Sequence, residues 1–110
     1  MNKLSLQAKG RELSRIAADA SSGRAADTIF GGHDKRLRQT VIALRAGAEM
    51  SMNESPDEAS LIVISGHIWL IGDETKWFGR EWSYLIVEPG SFRIQADTNA
   101  SMVLTVATKD

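Results

Sequence analysis

With 110 residues, the chain is sized for one domain and is too short for two independent cores. Hydrophobic residues at 43% and charged residues at 25% place it among globular chains, and the absence of cysteine excludes disulfides, thiolate zinc sites and a cysteine nucleophile. The formal charge of −1 lacks the basic excess of a nucleic-acid binder, and the chain has neither a signal peptide nor the roughly 18-residue apolar run of a bilayer span, so a cytoplasmic protein with no nucleic-acid and no membrane partner is expected.

From Lys3 to Ala20, helix formers dominate, and Leu13, Ile16, Ala17 and Ala20 recur at helical spacing. Gly10 weakens the middle by about 1 kcal/mol relative to alanine. The thin apolar stripe predicts a helix that leans on another surface, and Ser21-Ser22-Gly23 ends it. Lys3, Lys9, Arg11, Arg15 and Arg24, with Glu12 and Asp19 among them, read as a solvated face. One helix followed directly by strands does not supply the two of a helix–turn–helix.

Beyond Thr28 the chain turns to strands separated by turn residues. The strands expected are Asp27–Phe30, Leu37–Arg45, Glu58–Ser65, His67–Ile71, Tyr84–Glu88, Ser91–Ala96 and Met102–Thr108. Such short connections cannot make parallel crossovers, so the sheet must be antiparallel. The domain organisation expected is a helix and linker over 1–24 and a single barrel over 25–110.

Two strands speak about burial. Ala59, Leu61 and Val63 share one face, and Ser60, Ile62 and Ile64 the other. In the next strand Ile68 and Leu70 oppose His67, Trp69 and Ile71. A strand apolar on both faces is covered on both. The expected outer cover is a partner subunit, giving a homodimer through Ile62, Ile64, His67, Trp69 and Ile71, with the N-terminal helix as the alternative cover.

The runs Ser22-Gly23-Arg24-Ala25-Ala26, Thr28, Gly31-Gly32-His33, Leu37 to Leu44, Glu54-Ser55-Pro56, Glu58-Ala59 and Ser65-Gly66 resemble those of small bacterial single-domain cupins along nearly the whole chain. The resemblance implies an all-β, antiparallel jelly-roll barrel (a double-stranded β-helix) with one short N-terminal helix. It does not by itself imply one function, since a fold hosts many.

Against the two motifs typical of cupins, Gly47 and Gly66 match the flanking glycines of the first. Its two histidine positions fall on Asn53 and Ser55, and its glutamate position on Ala59. In the second motif the glycine–aspartate pair aligns with Ser83-Tyr84, the proline with Pro89, and the histidine with Phe92 or Arg93. An amide, a hydroxyl, a methyl and an aromatic ring thus replace the imidazoles and carboxylate that hold a first-row metal. Glu58 is one residue out of register and faces the other way. His33 reads as a turn residue and His67 as an outer-face one. No metal and no other cofactor are expected.

The resemblance also admits a metal-free epimerase using a histidine base and a tyrosine acid. His33 and the chain's one tyrosine, Tyr84, cannot be brought together from sequence, and geometry comes first in acid–base work. Trp77, Phe78 and Trp82 read as packing residues, or alternatively as the aromatic wall of a pocket. The expected activity is non-catalytic binding of a small organic molecule in the barrel. The candidate lining is Asn53, Ser55, Ala59 and Phe92, with Arg93, Arg38 and Arg45 available to an anionic ligand. The competing reading is a metal-dependent isomerase or dioxygenase with atypical ligands.

Overall fold

The computed structural model describes residues 1–52 and 58–108. Within them lie helix α1 (Leu6–Asp19) and strands β1 (Arg24–Phe30), β2 (Leu37–Leu44), β3 (Glu49–Met52), β4 (Glu58–Ser65), β5 (Ile68–Ile71), β6 (Lys76–Gly79), β7 (Tyr84–Ile86), β8 (Phe92–Ala96) and β9 (Ala100–Ala107). They form two sheets, ordered β1-β2-β9-β4-β7 and β3-β8-β5-β6, and every pairing is antiparallel. This is the jelly-roll arrangement that the resemblance implied, with the antiparallel pairing that the short connections required. Two short strands escaped the sequence. β3 carries Met50 and Met52 inward, and methionine gives little strand signal. In β6, Trp77 and Phe78 read as packing residues but were not among the strands expected.

Alternation along the strands builds two cores. Ile42, Leu44, Leu61, Val63, Met102 and Leu104 face the second sheet and meet Ile68, Leu70, Phe92 and Ile94 between the layers. The opposite face of the first sheet presents Val41, Ala43, Ile64 and Val103, which are buried with Leu13 and Ala17 of α1. The helix is therefore the cover for this part of the face. The expectation that a partner subunit covers Ile64 is corrected, because Leu13 and Ala17 already remove it from water.

Gly10, the helix's weak point in isolation, is what permits that docking. A Cβ there would lie 2.8 Å from the Ser101 hydroxyl. The Ser5 hydroxyl caps the helix start by accepting from the Ala8 N–H at 3.2 Å. Lys9 fastens one side of the helix to β1 through Asp27 at 2.9 Å, and also meets Glu12 at 3.0 Å. The hydrogen bond that Lys9 donates to the Asp27 carboxylate, with a second to Glu12, raises the Lys9 pKa above its ordinary value.

Gly66 has a φ of +78° and turns the chain out of β4 in the first sheet into β5 in the second. The outward faces of these strands consequently point to opposite sides of the sandwich. The five residues expected to form one dimer surface are divided by that turn. Ile62 and Ile64 lie on the helix side, whereas His67, Trp69 and Ile71 belong to the far side. There Phe78 packs against the Trp69 ring at 5.0 Å and the His67 ring at 5.4 Å, and Lys76 Nζ sits 4.5 Å over Trp69.

Candidate functional site

The barrel interior is built from the inward residue of each strand, and its centre is filled by the large side chains of the first core. Ala59 lies on this inner face, half-buried, in a cross-strand row with Val106 and Arg38. Phe92 points inward at 5% exposure, and the next residue, Arg93, stands exposed on the outer face between Ser51 and Ile71. The inward residue of this pair is thus Phe92. A methyl and a phenyl ring offer a metal no donor, and the described residues hold no group of three histidines, aspartates or glutamates able to grip one. Asn53 and Ser55 lie outside the described residues. The residues that can be described do not fit a metal centre.

The arginines separate. Arg38 is exposed at the barrel's open end, on the same row as Ala59 but two strands away. Arg45 is removed from any interior role. Its guanidinium donates to the carbonyls of Ala18 at 2.9 Å, Ala20 at 3.0 Å and Ala17 at 3.4 Å. The last turn of α1 has no basic residue of its own, so Arg45 supplies the cation that the helix C-terminus favours. Glu58 faces outward at the start of β4, as its register required.

Open space lies at the barrel mouth instead. One cavity of about 330 Å³ is walled by Leu70, Trp77, Val87 and Phe92, with Asp73 and Glu88 on its rim. A second of about 340 Å³ adjoins Met52 and Arg93 and shares Asp73, Ser91 and Phe92 with the first. Phe92 stands where they meet. Gly72-Asp73 and Pro89-Gly90 lie between the strands expected from sequence, and of these four only Pro89 entered the reading, as the proline of the second motif. Loops at strand ends commonly carry binding residues, and that position was the one signal available.

The three aromatic residues read together go different ways. Trp77, opposite Leu70 on the inner face and 56% exposed, walls the first cavity. Phe78 packs on the outer face. Trp82 sits in the β6–β7 turn with a φ of +68°, a left-handed conformation that costs an ordinary residue about 1–2 kcal/mol. The left-handed position falls one residue before Ser83, with which the motif's glycine aligns. Tyr84 projects from the outer face of the first sheet beside Ile62, so it faces away from the barrel interior in which an epimerase would work. His33 is exposed in the β1–β2 connection.

No helix among the described residues is long and apolar enough to cross a membrane. No family model and no curated protein matches the chain. Solved structures do. A conserved protein of unknown function from Streptococcus pyogenes superposes with a TM-score of 0.72 at 20% identity, covering 83% of this chain and 79% of its own. A cupin superfamily protein from Desulfitobacterium hafniense gives 0.70 at 12% identity, covering 86% and 88%. The salicylate 1,2-dioxygenase from Pseudoaminobacter salicylatoxidans, as its adduct with gentisate, gives 0.75 at 19% identity over 94% of this chain. The match covers only 32% of that larger enzyme. At such identities the likeness establishes the fold and nothing finer.

Proposed function

We propose that this chain, which has the cupin fold, is a metal-free and non-catalytic cytoplasmic protein that binds a small organic molecule at the barrel mouth. The observation that carries the reading is the exchange of places between matter and space. Phe92 and its neighbours fill the interior, while two adjoining cavities of about 330 and 340 Å³ open beside it. Leu70, Trp77, Val87 and Phe92 on one side, with Asp73, Glu74, Thr75 and Glu88 beside them, give a mixed apolar and polar lining of a size that suits a small organic ligand. The competing reading is a metal-dependent enzyme, for which the dioxygenase neighbour supplies the only named activity among these likenesses. Native mass spectrometry and elemental analysis of protein purified without chelator divide the two. The expected result is an organic adduct and far less than one metal ion per chain. Near-stoichiometric nickel, manganese, iron or zinc would reject the proposal.

We also propose a homodimer, through the strip of the first sheet that α1 leaves open. Ile62, Tyr84 and Ile86 are 37%, 62% and 65% exposed there, on the outward face of β4 and of β7, an edge strand. Packed face to face with its own copy across a two-fold axis, this strip would be removed from water on both chains at once. Sedimentation at micromolar concentration is expected to show a dimer of the 12.0 kDa chain, and a Tyr84→Glu variant to run as a folded monomer whose melting temperature no longer rises with protein concentration. A wild-type chain running only as monomer removes this part of the proposal.

A further inference from the structure

On the side of α1 away from Lys9, a crevice of about 320 Å³ separates the helix from the end of β4 and the β6–β7 turn. Arg11 and Arg15, one helical turn apart, line it from above, and Glu81 lines it from the turn. Ser14, Ser65 and Ser101 contribute hydroxyls, the last two hydrogen-bonded to each other at 2.8 Å. None of the three charged groups makes an ion pair or a hydrogen bond with any described residue. Two guanidinium groups and a carboxylate therefore face one space without meeting.

Three departures from regular structure converge on this crevice. Gly10 brings the helix close over Ser101. A bulge between Val63 and Ser65 ends the regular pairing of β4 with β9. Trp82, left-handed and exposed, follows Glu81 directly. That turn is clamped: the Trp82 N–H donates to the Val63 carbonyl at 2.8 Å, the Ser83 N–H to the Arg80 carbonyl at 2.8 Å, and the Arg80 N–H to the Ser83 hydroxyl at 3.0 Å. A bulky residue held at positive φ persists only where its surroundings over-determine it, and such strain gathers at binding sites.

From this geometry we infer that the crevice is a second binding site, independent of the barrel mouth, for a small zwitterion of the α-amino-acid class. The ligand's carboxylate meets Arg11 and Arg15, its ammonium meets Glu81, and the serine hydroxyls take the remaining hydrogen bonds. A simple polyanion is disfavoured, because it would set a negative charge against Glu81. A simple amine is disfavoured by the two arginines in the same way.

The test is an NMR titration of the isotope-labelled chain with glycine, alanine, serine and glutamate, and separately with acetate, methylammonium and inorganic phosphate. At least one of the amino acids is expected to move the amide signals of Ser14, Ser65 and Glu81 saturably, with acetate and methylammonium binding at least about tenfold more weakly. In the Arg11→Met, Arg15→Met double variant that binding is lost. In Glu81→Gln the amino acid loses about tenfold in affinity while acetate loses none. Absence of saturable shifts with every amino acid overturns the inference, and so does phosphate or acetate binding as tightly as the best of them. The wild-type comparison among probes decides the matter even if a variant fails to fold, and neither outcome bears on the barrel mouth.

Discussion

Replacing Gly66 with alanine is expected to destabilise the fold by about 3 kcal/mol or more, the left-handed cost and the overpacking cost acting together. The φ of +78° already disfavours any side chain. The added Cβ would also collide with the Asn99 carbonyl oxygen and lie 2.8 Å from the Ala100 Cα. Both are backbone atoms at the entry to β9, the central strand of the first sheet, and cannot swing aside as a side-chain tip can. Gly47 supplies the control. It has a φ of +86° and nothing within 4 Å of its would-be Cβ, so alanine there bears only the left-handed cost of about 1–2 kcal/mol. With a urea slope of about 1–3 kcal/mol per molar, the Gly66→Ala midpoint should fall by about 1–3 M. Equal midpoints for the two variants would mean that the corner relaxes and that its geometry is not what divides the sheets.

That corner also marks where sequence reasoning stopped. Alternation gave the inner and outer faces of β4 and β5 correctly, because a two-residue period needs only the strand itself. It could not tell that consecutive strands with matching patterns belong to different layers. Ile64 and Trp69 therefore looked like neighbours on one surface, and α1 stood only as the alternative to a partner subunit as their cover. The docking of α1 depends on Gly10 fitting over Ser101, a contact between residues 91 positions apart that no local pattern encodes. Arg45 shows the same limit from the side of charge. An arginine at a strand end reads as exposed and available, and only the folded chain brings three helix-terminal carbonyls to it. At the barrel, the register from Pro89 left Phe92 and Arg93 both open, and in the folded chain Phe92 is the one that points inward.

Phe92 is also where fold and proposed function can be separated by substitution. Truncation to alanine removes a buried ring from the core beside Met52 and Leu70, and should cost about 3 kcal/mol, the low end for Phe→Ala, since the cavities on either side let the site relax. The same change merges the two cavities into one, with no wall between Trp77 and Met52. Phe92→Leu keeps most of the volume and should cost less than about 1.5 kcal/mol, leaving a folded protein in which only the aromatic face is missing. If an organic ligand stacks on that face, the leucine variant should lose about tenfold in its affinity, as expected for an aromatic contact worth about 1.5 kcal/mol, while its urea midpoint falls less than that of the alanine variant. A ligand retained equally well by wild type and both variants would lie elsewhere, and the mouth would then be a packing defect beside the core. A ligand lost from the alanine variant but held by the leucine one would place the wall's role in its volume, with the ring's π-face playing no part.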